Sequence, residues 1–377
     1  MFEFQPATIE YILLVIFAAS VLVQLFYYLI FYLRTGTSRP GERKSQNLPV
    51  SVIICARNEA ENLEVFLPSV LEQDYPDFEV IVVNDCSDDD TEDILEKYAR
   101  QYEKLKITKI YKESSLRHSK KMALFLGIKA ASNEILLLTD ADCQPVSENW
   151  ISSFASSFTE STDFVLGYGG YLKKKGLLNK YIRWDTMFIA MQYTGMAMAG
   201  LPYMGVGRNL AYRKSVFFKN KGFGPNLYLQ SGDDDLFVNM LAEKKNTTVN
   251  LAPESFTRSI PAGSWKEFLR QKTRHLSTAS HYKMLTKFLL VTEPLSRLLF
   301  YSLLLVLLIL TNLYQAIGMA AAAVIICKLI SYVLVHKNLN EKDLLVFSPL
   351  FDIISPFLNV YFLLNVAFKR HQYYEWK

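Results

Sequence analysis

The sequence predicts the α/β class: a layer built on a mainly parallel sheet, joined to α-helical membrane segments at both ends. Three observations carry this. Short β-rich runs alternate with longer amphipathic ones from Pro49 to about Leu251, the pattern of strand–helix–strand units. Apolar stretches long enough to cross a bilayer stand near both termini. Acidic residues recur just beyond the ends of the predicted strands, where sheets of this kind hold their ligands.

Near the start, Tyr11 to Leu33 is apolar apart from Ser20 and Gln24. Arg34, Arg39, Arg43 and Lys44 follow it, whereas the residues before it carry Glu3 and Glu10 and no Lys or Arg. The excess of basic residues on one side places the N-terminus outside and the rest of the chain, from Arg34 on, in the cytoplasm, which makes this an integral protein of the inner or plasma membrane. A cleaved signal peptide fits less well, because the stretch is too long, its leader is not basic and no small-x-small site follows. Residues 1–34 are therefore expected to form an anchor. Residues 35–48, rich in Gly, Ser, Pro and charge, read as a linker from which a domain of residues 49–262 hangs.

Within that domain Val50–Cys55 is a strand, Glu61–Glu72 a helix, Phe78–Val83 a strand and Thr91–Tyr102 a helix. Lys106–Ile110, Lys120–Ala131 and Glu134–Leu138 continue the alternation as strand, helix and strand. Residues 263–290 mix Trp265, Phe268, Leu269, Leu276 and Tyr282 with Lys266, Arg270, Lys272, Arg274 and Lys283, as in amphipathic helices lying on a membrane surface. Residues 291–377 read as a membrane region. Leu295–Leu313 and Ala316–Val335 are two spans joined by Tyr314-Gln315, and Leu344–Phe368 is a third stretch holding Pro349, Asp352 and Pro356. A full span there would put Lys369-Arg370 outside, against the charge rule. A break at the prolines would keep them in the cytoplasm.

Composition narrows the partners. The net charge of +4 is small and dispersed, which argues against nucleic acid, and much of the Lys and Arg lies close to the spans, suiting an anionic lipid surface. The four cysteines show no paired spacing and no His partner, so free thiols are expected rather than a zinc site.

The chemistry-bearing acids begin with Asp140-Ala-Asp142, at the end of a buried strand. Two carboxylates one residue apart can face one object together, and such a pair calls for a divalent cation, Mg²⁺ or Mn²⁺, that usually arrives with phosphates. Glu59 follows the first strand, and Asp85 and Asp88 the second. At least one of Asp88, Asp89 and Asp90 is expected to cap the next helix. Asp85, at the strand end itself, suits a base or ribose donor group. Gly232-Asp233-Asp234-Asp235 precedes the helical Phe237–Lys244 and reads equally as a solvated helix start. Gln271 and Arg274 share one helical face.

This set of motifs resembles the family 2 glycosyltransferases of the GT-A fold, a Rossmann-like mixed sheet, and in particular the membrane-integrated branch of cellulose, chitin and hyaluronan synthases and ceramide glucosyltransferase. Cys55-Ala56-Arg57-Asn58-Glu59 is similar to the family's first-strand motif, and Asn84-Asp85-Cys86-Ser87-Asp88-Asp89 to its nucleotide loop. Ser119-Lys120-Lys121-Met122-Ala123-Leu124 resembles a Gly-Lys stretch with Ser119 in place of Gly. Asp140-Ala-Asp142 matches the metal motif and Gly232-Asp233-Asp234 the motif supplying the catalytic base. Gln271 to His275 resembles Gln-x-x-Arg-Trp, with His275 where Trp is usual. Gly205 to Ala211 stands where the family has a strand near the acceptor, although a tight turn explains its glycines equally well.

The resemblance implies an inverting, metal-dependent hexosyltransferase that moves a sugar from a nucleotide-diphosphate donor, a UDP-sugar or similar, to a lipid-linked or membrane-proximal acceptor. Ala56, Glu59, Asp85, Lys120, Asp140 and Arg274 would bind the nucleotide-sugar, and Asp142 with Asp140 the metal. Asp234 would be the base, with Asp233 or Asp235 open as the register of three adjacent acids. Asp233, Gln271 and His275 would face the acceptor. The missing Trp and the few carboxyl-terminal spans favour single addition over a processive polysaccharide synthase. A non-catalytic membrane scaffold is disfavoured because all the acids that turnover needs are present.

Overall fold

The computed structural model describes residues 6–39, 47–111, 119–224, 229 and 231–368. Strands β1 (Val50–Ala56), β2 (Phe78–Asp85), β3 (Leu105–Ile110) and β4 (Ile135–Asp140) are linked in turn by helices α3 (Ala60–Leu71), α4 (Thr91–Ala99) and α5 (Lys120–Ala130). They pair in parallel in the order β3-β2-β1-β4, with Cys55 opposite Asp140 and Asp85 opposite Ile110. Both faces of β1 and β2 are covered, which is why these strands appear in the sequence as unbroken apolar runs rather than alternating ones. Three later strands extend the sheet: β8 (Leu210–Arg213), antiparallel to β4, then β6 (Phe164–Gly167) and β9 (Thr247–Asn250). A second sheet of β5 (Cys143–Pro145), β10 (Thr257–Ser259) and β7 (Gly169–Tyr171) stands beside them, in the order β5-β10-β7.

In β7 successive residues face opposite ways, and two glycines use this. A Cβ on Gly169 would lie 2.7 Å from Cγ and Nε of Arg208, and one on Gly170 2.0 Å from Nη1 of Arg258. The two guanidiniums thus lie against neighbouring residues of one strand.

The remaining helices are α1 (Pro6–Phe26), α2 (Leu33–Thr37), α6 (Trp150–Ala155), α7 (Leu177–Met198), α8 (Lys214–Lys219), α9 (Asp235–Leu241), α10 (Trp265–Thr278), α11 (Met284–Leu310), α12 (Tyr314–Asn338) and α13 (Ser348–Phe368). A π-helical turn, Tyr27–Tyr32, joins α1 to α2 without a break and buries Tyr27, Tyr28, Phe31 and Tyr32. Three helices, Thr8–Thr37, Met284–Leu310 and Tyr314–Asn338, are long and apolar enough to cross a membrane.

Several expected boundaries move. The first helix runs to Thr37, so the start of the expected linker is packed: Thr35 Oγ1 lies 3.1 Å from Met191 O and 2.9 Å from Thr194 Oγ1, and Asn338 Nδ2 donates to Thr35 O at 2.7 Å. Residues 40–46 lie outside the described residues. The amphipathic segment is the single helix α10 followed by a 3₁₀ turn, Ala279–His281, and 284–290 already belongs to α11. The connection between the two spans is Thr311–Leu313, because Tyr314 opens α12. From Ser348 on, the third stretch is an unbroken helix, preceded by a 3₁₀ turn that ends at Leu344. Pro349 falls in its first turn, where a missing N–H costs nothing, and Pro356 is accommodated inside. Asp352 on that helix is buried and accepts from Arg297 (3.0 Å), Lys328 (2.8 Å) and Tyr332 (2.7 Å), which ties α13 to α11 and α12.

The sheet domain is seated on the membrane helices rather than hung from them. Helix α7, absent from the sequence reading, packs on the π-helical turn, and a Cβ on Gly195 would lie 2.3 Å from Phe31 O. Glu341, fully buried in the α12–α13 connection, accepts from Arg183 of α7 (3.1 Å), from Tyr168 (3.1 Å) and from Arg258 of β10.

Candidate active site

The loops after β1 and β2 are stitched to each other. Asn58 and Cys86 take left-handed backbone (φ 55° and 51°). Asn58 N–H donates to Ser87 Oγ (3.0 Å), Asp88 N–H to Asn58 Oδ1 (2.8 Å) and Glu59 N–H to Thr91 Oγ1 (3.0 Å). Asp89 is the helix-capping acid of its trio, accepting from the N–H groups of Ala60 and Thr91, each at 3.1 Å. Ala56 and Asp85 end β1 and β2, both buried with 0% exposure, and Glu59 sits at the start of α3.

Ser119, in place of the expected glycine, caps α5 by accepting from Met122 N–H (3.3 Å). Lys120 in the first turn of that helix donates to Asp140 Oδ1 at 2.7 Å and lies 3.7 Å from Asp233 Oδ2. Burial opposes its charge, but Asp140, Asp233 and Asp234 outweigh it and raise its pKa well above the ordinary value. Burial likewise opposes ionisation of Asp140, yet Lys120, Arg208 and Arg274 hold its pKa down. Asp142 is pushed up, by burial and then by the charge of Asp140.

Asp140, Asp142 and Cys143 each bring one atom within 4.8 Å of the others. The carboxylate oxygens suit a hard divalent cation. The Cys143 thiol does not: burial holds it protonated, and its Sγ is engaged 2.7 Å from Ser259 Oγ.

The three consecutive acids have three different surroundings, which the sequence left undecided. Asp233 is buried and faces Lys120. Asp234 caps α9, its Oδ1 accepting from Asp235 N–H (2.7 Å) and its Oδ2 from Gly207 N–H (2.6 Å). Gly207 has no side chain to hold that carboxylate off, since a Cβ there would stand 3.2 Å from Oδ2. Burial, followed by the charges of Asp233 and Asp235, pushes Asp234 up to about 7. Asp235 is buried and turned toward α10, accepting from Tyr282 (2.6 Å) and Thr278 (2.5 Å).

Helix α10 opens with a capping box in which Ser264 accepts from Glu267 N–H (3.2 Å) and Glu267 from Gly263 N–H (2.8 Å). Lys272 fixes its angle through a buried pair with Asp185 of α7 (2.9 Å). Gln271 Nε2 then donates to Tyr171 OH (2.9 Å), Arg274 comes near enough to lower Asp140, and His275 is exposed.

One cavity is lined by Lys120, Asp140, Gly207 and Asp233. Cys55 lines it as well, its thiol raised by burial and then by Asp233, Asp140 and Asp85 against the opposing charge of Lys120. Asp140 and Asp233, far apart in the chain, therefore meet in one cavity beyond the ends of β1 and β4. Of the residues expected at the site, Lys120, Asp140 and Asp233 line that cavity; Ala56 and Asp85 lie outside it at the ends of β1 and β2, Glu59 at the start of α3, Asp142 and Asp234 beside the lining in the chain, and Gln271, Arg274 and His275 on α10. Sequence reasoning missed Arg208 and Tyr171. The guanidinium lies over the Tyr171 ring (4.7 Å) and donates to Gly169 O (2.8 Å). The signal was there in Gly205-Val-Gly-Arg208-Asn209, read only for its glycines.

Comparison with known proteins agrees with this geometry. The family model described as "Glycosyl transferase family 2" matches residues 51–218, and "Glycosyl transferase family group 2" matches 135–336, just over half of the chain. Among curated relatives, glycosyltransferase AglE of Haloferax volcanii is 36% identical over 29% of this chain and 35% of its own. The probable glycosyltransferase YdaM of Bacillus subtilis is 26% identical over 60% and 54%. The hyaluronan synthase of Streptococcus pyogenes is 25% identical over 62% and 58%. The chain thus spans between about a third and somewhat over half of the length of these relatives. The mannosyltransferase PcManGT from Pyrobaculum calidifontis, solved with GDP-Man and Mn²⁺, superposes with a TM-score of 0.57 at 19% identity, covering 91% of this chain and 98% of that one, a likeness of fold. With the sheet order β3-β2-β1-β4-β8-β6-β9 and both family models in agreement, the chain belongs to the family 2 glycosyltransferases and has the GT-A fold.

Proposed function

We propose that the protein is an inverting glycosyltransferase of the membrane-integrated branch. It moves a sugar from a nucleotide-diphosphate donor, a UDP-sugar or similar, to a hydroxyl of a lipid-linked or membrane-proximal acceptor on the cytoplasmic face, with its N-terminus outside. The observation that carries this reading is Asp234: a carboxylate oriented by two backbone N–H groups beside the Lys120, Asp140 and Asp233 cluster, and with its pKa pushed up to about 7. That is the value a general base needs near neutral pH.

Asp85 takes the base or ribose of the donor, with Ala56 and Glu59 beside it, and Lys120 approaches the nucleotide. Asp142 and Asp140 would hold Mg²⁺ or Mn²⁺, which when bound offsets the charge of the departing diphosphate. Arg274 adds to that offset. Asp234 accepts the proton of the acceptor hydroxyl while its oxygen bonds to the anomeric carbon. The bond from that carbon to the diphosphate breaks on the far side, so the configuration inverts. Asp233, Gln271 and His275 line the acceptor side. His275, exposed where processive synthases carry Trp, favours a single addition over polymerisation.

A donor screen on membranes containing the full chain tests this, reading nucleotide release with and without EDTA and sizing the product. The expected result is EDTA-sensitive release with one donor and a product one sugar longer than the acceptor. Long chains would overturn single addition, and release unchanged by Asp234→Asn would overturn the assignment of the base.

A further inference from the structure

The cleft holds a cation that the reading above does not use. Arg208 follows Gly207, whose N–H orients Asp234, and its own carbonyl accepts from Thr139 (3.2 Å) and Thr257 (3.0 Å), so its backbone is pinned between the two sheets. Its side chain has a built seat. Nε donates to Gly169 O (2.8 Å), Nη1 to Tyr171 OH (3.2 Å), and the guanidinium lies over the Tyr171 ring. Gly169 leaves the space it fills, since a Cβ there would lie 2.7 Å from Nε. Tyr171 OH also accepts from Gln271, so one tyrosine orients both side chains.

From this seat Arg208 acts on Asp140, Asp142 and Cys143, yet among the described residues it forms an ion pair with none of them and its Nη2 donates to nothing. Of the other buried or half-buried arginines of the sheet domain, Arg57, just after β1, likewise has a buried Nε without a hydrogen bond among the described residues, whereas three are committed elsewhere. Arg183 and Arg258 are bound to Glu341, and Arg213 donates to the carbonyls of Thr159 and Thr162. An oriented guanidinium with unused donors beside a cation-binding pair suits a polyanion that the cation also binds.

We propose that Arg208 is a direct substrate contact, its Nη2 donating to a non-bridging oxygen of the donor's diphosphate, as a third cationic side chain beside Lys120 and Arg274. This rests on the reading of the cleft as a nucleotide-sugar site. Arg208 then holds the diphosphate from the Tyr171 side, and Gln271 senses its position through the shared hydroxyl.

The test uses the full chain in detergent or nanodiscs with Mn²⁺. Binding of inorganic pyrophosphate is measured by calorimetry for the wild type, Arg208→Lys and Arg208→Gln, alongside melting curves that report folding. Loss of a charge-assisted hydrogen bond predicts pyrophosphate binding about 10- to 100-fold weaker in Arg208→Gln and partly restored in Arg208→Lys. Equal binding by all three forms, or none by the wild type, would overturn the inference whatever the sugar donor proves to be. In turnover, the KM for the donor should rise in step with pyrophosphate affinity. A rise confined to the KM of a phosphate-bearing lipid acceptor would instead give Arg208 to the acceptor and refute the donor contact. The nucleotide-sugar reading fails separately, if no donor is turned over by the wild type.

Discussion

Replacing Asp234 by Asn should sharply slow transfer and at the same time stabilise the protein above pH 7, and both effects follow from one carboxylate. The pKa of Asp234 rises from 3.8 to about 7 because folding buries it beside Asp233 and Asp235. The folded state therefore holds the proton more tightly than the unfolded chain. Its stability falls as pH rises from about 4 to about 7, and the loss is complete above that. At about 1.4 kcal/mol per pKa unit, the cost above pH 7 is at most about 4 kcal/mol, reduced by the solvent that reaches this half-buried group. Asparagine keeps an acceptor for one of the two N–H groups, of Gly207 or of Asp235, and has no such charge to bury. Melting curves of the full chain at several pH values should show Asp234→Asn close to the wild type near pH 4 and more stable by pH 8. For the wild type, about a tenth of a base with this pKa is ionised at pH 6 and about nine tenths at pH 8, so kcat should rise about tenfold between them. In the variant kcat should fall by about 10²- to 10⁴-fold. A flat wild-type profile between pH 6 and 8, together with no pH-dependent gap in melting temperature, would refute the reasoning.

Asp142→Asn, or EDTA, should lower kcat by about 10²- to 10³-fold, and added Mn²⁺ should restore the EDTA-treated wild type but not the variant, as nucleotide release will show. Gly207→Ala places a Cβ 3.2 Å from Asp234 Oδ2 and should cut kcat about tenfold by displacing the carboxylate a few tenths of an ångström, with little change in nucleotide affinity by calorimetry. Glu341→Gln leaves Arg258 buried without its counter-charge and Arg183 with Asp343 alone (2.7 Å), and should destabilise the protein by about 3 kcal/mol in denaturant titrations. Lys97→Ala, which breaks the exposed pair with Glu64, should cost less than about 1 kcal/mol in the same assay.

The parts of the fold that were legible in the sequence are those with a local signature. β1, β2 and β4 show as apolar runs, β3 as a short alternating one, and the spans show by length. The acids at the ends of β1, β2 and β4 could be grouped because parallel sheets place such residues on one edge. Helix α7 was invisible, since it is buried on nearly every side from Tyr181 to Ala197 and so lacks the amphipathic period by which helices are found. The roles of Asp233, Asp234 and Asp235 depend on what Lys120, Gly207 and Tyr282 bring from elsewhere, and spacing carries no record of that. Arg208 was hidden for the same reason: its seat is made by Gly169 and Tyr171, residues with no motif of their own.

The paired glycines of β7 set a limit on how this enzyme can be handled. Arg208 rests on one of them and Arg258 on the next, so the reactive cleft and the clamp on the α12–α13 connection are separated by one extended strand. A soluble fragment ending before Met284 would retain every acid of the cleft while stripping Glu341 from two guanidiniums that have no other carboxylate within the sheet domain. Strand β10 would then shift against β5, and Asp142 with it. The sheet domain is thus not a detachable module, and forces that move the Asn338 end of α12, such as a change of bilayer thickness, have a short mechanical route to the cleft.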